Sequence, residues 1–117
     1  MNTTRLSDTI PDSIPSVYYS EGFQSMLENH IFTLARHTGA QLIVIEPTRA
    51  YQYEGDFFGL LTSLGVPSQY HWATMRCNGF YSPTDFKSDT TSITHPPFEQ
   101  IDELQAIYTS SSSLSMG

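Results

Sequence analysis

The sequence predicts a single α+β domain, mainly helical, with one small antiparallel ribbon. Three observations lead there. Phe23, Leu27, Ile31 and Leu34 form an apolar stripe at spacings of 4, 4 and 3, which marks a substantial amphipathic helix. Two shorter apolar blocks, each closed by a glycine, follow a Gly55-Asp56 pair and read as two stubby helices. Short β-like runs flank those blocks, and 117 residues are enough for one domain but not two.

Taken in order, residues 1–19 read as an extended arm. Pro11 and Pro15 bias their predecessors away from helix, yet Ile10, Ile14, Val17, Tyr18 and Tyr19 are too apolar for an idle tail. The domain proper is expected over 20–109. Its first helix spans 20–38, with Ser20 as cap, Glu21 in the first turn, Met26 beside the stripe and Gly39 as the stop. "QLIVIEP" reads as a buried strand, Gln41 to Ile45, ended by Pro47.

Ala50 to Glu54 alternates, with Tyr51 and Tyr53 on one face, and reads as the first strand of the ribbon. Gly55 permits a sharp corner, and the Asp56 carboxylate can accept backbone N–H groups two or three residues on. The helix it caps carries Phe57, Phe58, Leu60, Leu61 and Leu64 and ends at Gly65. Val66-Pro67 turns the chain. Ser68 caps a second helix through Tyr70, Trp72, Ala73, Met75, Arg76 and Cys77, which ends at Gly79. A turn is expected at Ser82-Pro83 and a short return strand inside Asp89 to Thr94. Phe98, Ile101, Leu104, Ile107 and Tyr108 make a last amphipathic helix over 97–109, with Pro97 at its first position. The serine-rich 110–117 reads as a flexible tail.

Composition bounds the function. Asp and Glu number 12 against 5 Lys and Arg, a net charge of −7, and the cations are scattered singly. Phosphate backbones and anionic membranes both need a basic stripe, so neither nucleic acid nor membrane is an expected partner. Charged residues are only 15% while aromatics reach 13%, a balance that suits a surface partly covered by other chains. Cys77 is the only cysteine, so no intrachain disulfide is expected. No charged n-region with an apolar block opens the chain, so no secretory signal is expected.

The order strand, Gly55-Asp56, helix, Gly65-Val66, helix, Asn78, strand resembles the lysin motif (LysM), a βααβ module. The resemblance covers about residues 50–97. It implies two short helices packed on one face of a two-stranded ribbon, framed here by an N-terminal helix and strand and a C-terminal helix. In addition, "YHWATMRCNGFYSPTDF" resembles a pattern in small baseplate wedge proteins of tailed bacteriophages: His-Trp, an apolar helix, Asn, then Ser-Pro. That resemblance implies a non-enzymatic virion structural protein of the tail baseplate or neck. Such a protein is assembled in the host cytoplasm in several copies and bridges other tail subunits. The partner-binding residues would be Ile10, Ile14, Val17, Tyr18, Tyr19 and Tyr81. The alternative is a peptidoglycan- or chitin-binding module, whose groove would fall on Gly55, Asp56, Phe57, Asn78, Gly79 and Phe80.

Reactive groups give little support to a third reading, a small hydrolase. His30 and His37 share one side of the first helix, but no His-x3-His spacing or further ligand set accompanies them, so no metal is expected. His71 and Cys77 project from different sides of one short helix, and the cysteine reads as a small core residue. Asp56 could act as a catalytic carboxylate with Glu54 or Asp85, but capping explains it with local physics alone. No P-loop, GxSxG, HExxH or CxxC occurs, and no cofactor or catalytic residue is expected.

Overall fold

The computed structural model describes residues 20–116, with side chains described as far as Ser110. The expected arm, with Ile10, Ile14, Val17, Tyr18 and Tyr19, lies outside the described residues. The elements are α1 (Glu21–Ala35), β1 (Gln41–Val44), α2 (Pro47–Gln52), α3 (Phe57–Ser63), α4 (His71–Cys77), β2 (Ser92–His95) and α5 (Phe98–Met116). Single 3₁₀ turns, Ser68–Tyr70 and Pro83–Asp85, precede α4 and β2. The fold is thus α+β, with five helices and a two-stranded antiparallel ribbon among the described residues.

α1 forms where the stripe places it. Ser20 is its N-cap and accepts from Phe23 N–H at 3.2 Å, so one orphan donor of the first turn is satisfied. Phe23, Leu27 and Leu34 are buried; Ile31 and Met26 are half-buried. The helix ends at Ala35, three residues before the expected boundary. Gly39 is therefore not its stop: the Arg36 N–H already bonds back to Phe32 O, and Gly39 N–H instead donates to His37 Nδ1 at 2.8 Å.

The ribbon exists, but its first strand is not the expected one. Residues 50–54 are not extended. Pro47 sits in the first turn of α2 behind an extended Glu46, and the helix turns Ala50 into the core while Tyr51 points out. The tyrosine alternation at 51 and 53 matched strand spacing, but Pro47 is a helix start as well as a strand stop. β2 pairs instead with β1, in the register Gln41↔His95 to Val44↔Ser92. β1 is not a buried strand either. Leu42 and Val44 are 69% and 76% exposed, while Ile93 of β2 is buried on the opposite face.

α3 begins at Asp56, whose carboxylate accepts from Gly59 N–H at 3.0 Å, and Gly65 at φ +83° follows its end. Ser68 opens a 3₁₀ turn and is not the helix cap; α4 starts three residues later, at His71. Gly79 at φ +81° turns the chain out of α4. α5 extends past the expected end at 109, to Met116. Along it Ile101 is buried and Phe98, Leu104 and Tyr108 are half-buried, but Ile107, expected on the same stripe, is exposed. The core gathers Phe23, Leu27, Phe57, Leu60, Leu61, Phe86, Ile93 and Ile101, so α1, α3, α5 and the inner face of the ribbon share one apolar centre.

Candidate functional site

The two loops singled out by the LysM resemblance do come together. Gly55, at φ +76°, donates its N–H to Phe86 O at 2.9 Å, which holds the corner before α3 against the loop after α4. Phe57 then meets Phe80 edge-on, with ring centroids 5.1 Å apart, and Phe86 closes the cluster. The groups are committed to the fold, however. Phe57 is fully buried, and Phe80 spends its ring on Phe57 and Phe86. Asp56 is spent on its cap, with Gly59 packed so close that a Cβ there would lie 2.2 Å from the carboxylate. No open aromatic platform remains among these residues for a sugar ring.

Asn78 has the most defined role. Its Nδ2 donates to Thr74 O at 2.7 Å and to Thr94 O at 2.8 Å, and its Oδ1 accepts from Thr94 N–H at 2.7 Å. One amide side chain thus closes α4 and pairs with both backbone groups of a β2 residue, as a neighbouring strand would.

The other reactive side chains singled out in the sequence are also accounted for by the fold. Burial pushes the Cys77 thiol up to about 12, so almost no thiolate forms near neutral pH. His71 is buried, donates from Nε2 to Val66 O at 2.8 Å and lies against the Phe58 ring. Burial holds its pKa below the usual imidazole value. His30 donates from Nδ1 to Met26 O at 2.9 Å. His37 lies beyond the helix it was expected to complete, where Nδ1 accepts from Gly39. Glu54 accepts from Ser88 Oγ at 3.3 Å, and Asp85 accepts from the N–H groups of Tyr81 and Ser82 in a capping box. Among the described residues, no group of three or more His, Cys, Asp and Glu could hold a metal ion. No helix among them is long and apolar enough to cross a membrane.

The surface carries what the interior does not explain. Tyr81 is 81% exposed, its ring covered on one side by the Arg76 guanidinium at 4.3 Å. Arg76 is itself anchored, by an ion pair with Glu28 of α1 and by donation to Phe80 O at 2.7 Å. Phe32, Leu42, Val44, Tyr51 and Ile107 are also exposed. Of these, sequence reasoning nominated only Tyr81. Leu42 and Val44 were hidden because "QLIV" reads as one continuous apolar run. The signal that separates them is parity: two residues apart, they must share one face of any strand. Searches against family models, curated proteins and solved structures find no match to this chain.

Proposed function

We propose that the chain is a non-enzymatic assembly component of a virion, in the tail baseplate or neck of a tailed bacteriophage, where several copies bridge neighbouring subunits. One observation carries the reading. Six large apolar side chains, Phe32, Leu42, Val44, Tyr51, Tyr81 and Ile107, stand in solvent on a chain with few charges to keep it dispersed. Burying such surface against other chains contributes roughly 25 cal/mol per Å² before ordering costs are met. The two short helices α3 and α4 do lie between the strands of one antiparallel ribbon, which is compatible with this reading, but α2 also lies between them, so the order is βαααβ and not the βααβ of the lysin motif. The engagement of Asp56, Phe57, Asn78 and Phe80 inside the fold weighs against the glycan reading.

Sedimentation velocity of the full chain tests the proposal. Self-association, or stable binding to purified tail subunits, is expected, and Tyr81→Ser is expected to weaken it with the fold intact. A well-folded monomer at every concentration that binds no tail subunit contradicts it, as does retention on insoluble peptidoglycan.

A further inference from the structure

The ribbon is closed on one edge and open on the other. Thr94 faces Leu42 across the ladder, and its N–H and C=O both turn away from β1 to meet Asn78. Ile45 N–H donates to Thr91 O at 2.8 Å, one register step beyond Val44↔Ser92. Hydrogen-bonded and non-hydrogen-bonded pairs alternate along an antiparallel ladder. Residues 41, 43 and 45 therefore bond to β2, and the backbone groups of Leu42 and Val44 point outward. No strand other than β2 lies beside β1 among the described residues. The edge is also unobstructed: Gln41, Leu42, Val44, Glu46, Pro47 and Thr48 are all exposed.

We infer that β1 of a second copy of the chain pairs with this edge, antiparallel and about a two-fold axis at Ile43, so that two ribbons become one sheet in the order β2-β1-β1-β2. This rests on the multi-copy assembly reading above and names the partner. The backbone groups left over are the first argument. Ala40 N–H is already given to His37 O at 2.9 Å, and Glu46 O already accepts from Ala50 N–H at 2.9 Å. What remains is the N–H and C=O of Leu42 and of Val44, placed symmetrically about Ile43. A two-fold at Ile43 sets Leu42 opposite Val44 of the other copy, and each such pair exchanges both N–H···O bonds. An axis at Leu42 or at Val44 instead sets the other residue opposite Ala40 or Glu46, where a needed group is spent.

Charge and packing are the second argument. The chain carries −7, so two copies repel unless they meet where it has no charge. Residues 38–45 have none. The nearest acid, Glu46, would lie about 20 Å along the sheet from its mate, beyond the screening length of about 8 Å. A charged partner finds nothing ionic to pair with here. On the outer face, Leu42 and Val44 meet Val44 and Leu42 of the other copy, flanked by half-buried Thr94 and Ser92 of β2. On the inner face, Ile43 meets its own mate at the axis, beside the buried Ile93. A four-residue edge falls short of the roughly 1,000 Å² of a stable interface, so pairing through β1 alone belongs to high protein concentration.

Sedimentation of the full chain, with amide exchange on the same isotope-labelled samples, tests this. Where dimer forms, the Leu42 and Val44 amides are expected to exchange at least about tenfold more slowly, and to lose that protection on dilution. Val44→Pro removes an outward donor and spares the β2 ladder, so it is expected to abolish the dimer; the Ile43 amide, bonded to β2, reports that the ribbon survives. Oxidation gives a second reading. An equal mixture of Leu42→Cys and Val44→Cys chains is expected to cross-link, because the register sets those positions about 5.5 Å apart. Either variant alone is not, because its own two cysteines lie diagonally, beyond disulfide reach. Equal cross-linking of one variant alone overturns the register, and none in the mixture overturns the pairing. Protection that survives dilution to monomer overturns the second copy as occupant. Association that persists in Val44→Pro, or with both amides open, sinks the pairing while sparing the assembly reading, as does a monomer that still binds tail subunits.

Discussion

Asn78 makes three backbone hydrogen bonds with one side chain, and two of them go to the same β2 residue, Thr94. Truncation would leave the Thr94 N–H and C=O without these partners at a half-buried position. Asn78→Ala is expected to lower unfolding free energy by about 2 kcal/mol in urea titration. Asn78→Asp is expected to fare little better, because an ionised carboxylate cannot donate to Thr74 O or Thr94 O. His71 gives a pH prediction. Its folded pKa is lowered by burial, so the neutral imidazole is the form the fold prefers. Its contribution is fully present above the unfolded value of about 6.5 and is lost as pH falls through the lower folded value. Urea midpoints of the wild type should drop on acidification through that range, and His71→Gln should show a shallower drop. Cys77, with its thiol pushed up to about 12 by burial, should react with a thiol reagent at pH 8 far more slowly in the folded protein than in denaturant.

At the scale of elements, α3 shows a local conflict resolved by geometry. Gly59 lies inside a helix, where alanine is ordinarily favoured by about 1 kcal/mol. Here a Cβ would meet the Asp56 carboxylate at 2.2 Å, so the glycine is what lets the cap approach its N–H. Gly59→Ala should therefore bring no gain in the wild type, but about 1 kcal/mol in an Asp56→Ala background; a thermal-melt double-mutant cycle reads the difference. The same scale shows what could be read in advance. α1, α3, α4 and the start of α5 followed from apolar spacing, because each buries its stripe in the common core. Asp56 and the two stop glycines, Gly65 and Gly79, followed from backbone chemistry. The strand at 50–54 failed because tyrosines at alternate positions fit a strand on paper, while Pro47 and the packing of Ala50 favour one helical turn more. Local pattern cannot say which of two extended-looking runs will pair with 92–95. Only the closed ribbon does, and it chose β1. The candidate site was less legible still. The LysM resemblance put Phe57 and Phe80 at the two sides of a ligand groove, whereas their rings meet each other and Phe86, a contact that no local pattern announces.

At the scale of the molecule, the aromatics divide between two jobs. Phe23, Phe57 and Phe86 are wholly inside, whereas Phe32, Tyr51 and Tyr81 are not needed by the core. With charged residues at 15%, such a surface is costly for a chain that acts alone and useful for one that is covered on assembly. The ribbon carries the same asymmetry. Asn78 finishes one edge from within, and nothing among the described residues finishes the other. In the proposed assembly role, that open edge is a place where another chain docks. Amide exchange at Leu42 and Val44, followed from dilute to concentrated full-length protein, addresses it most directly. Slowing of those two amides on concentration, alongside a rise in sedimenting mass, is the predicted result. Fast exchange at both positions in a sample that sediments as a single stable monomer throughout would contradict it.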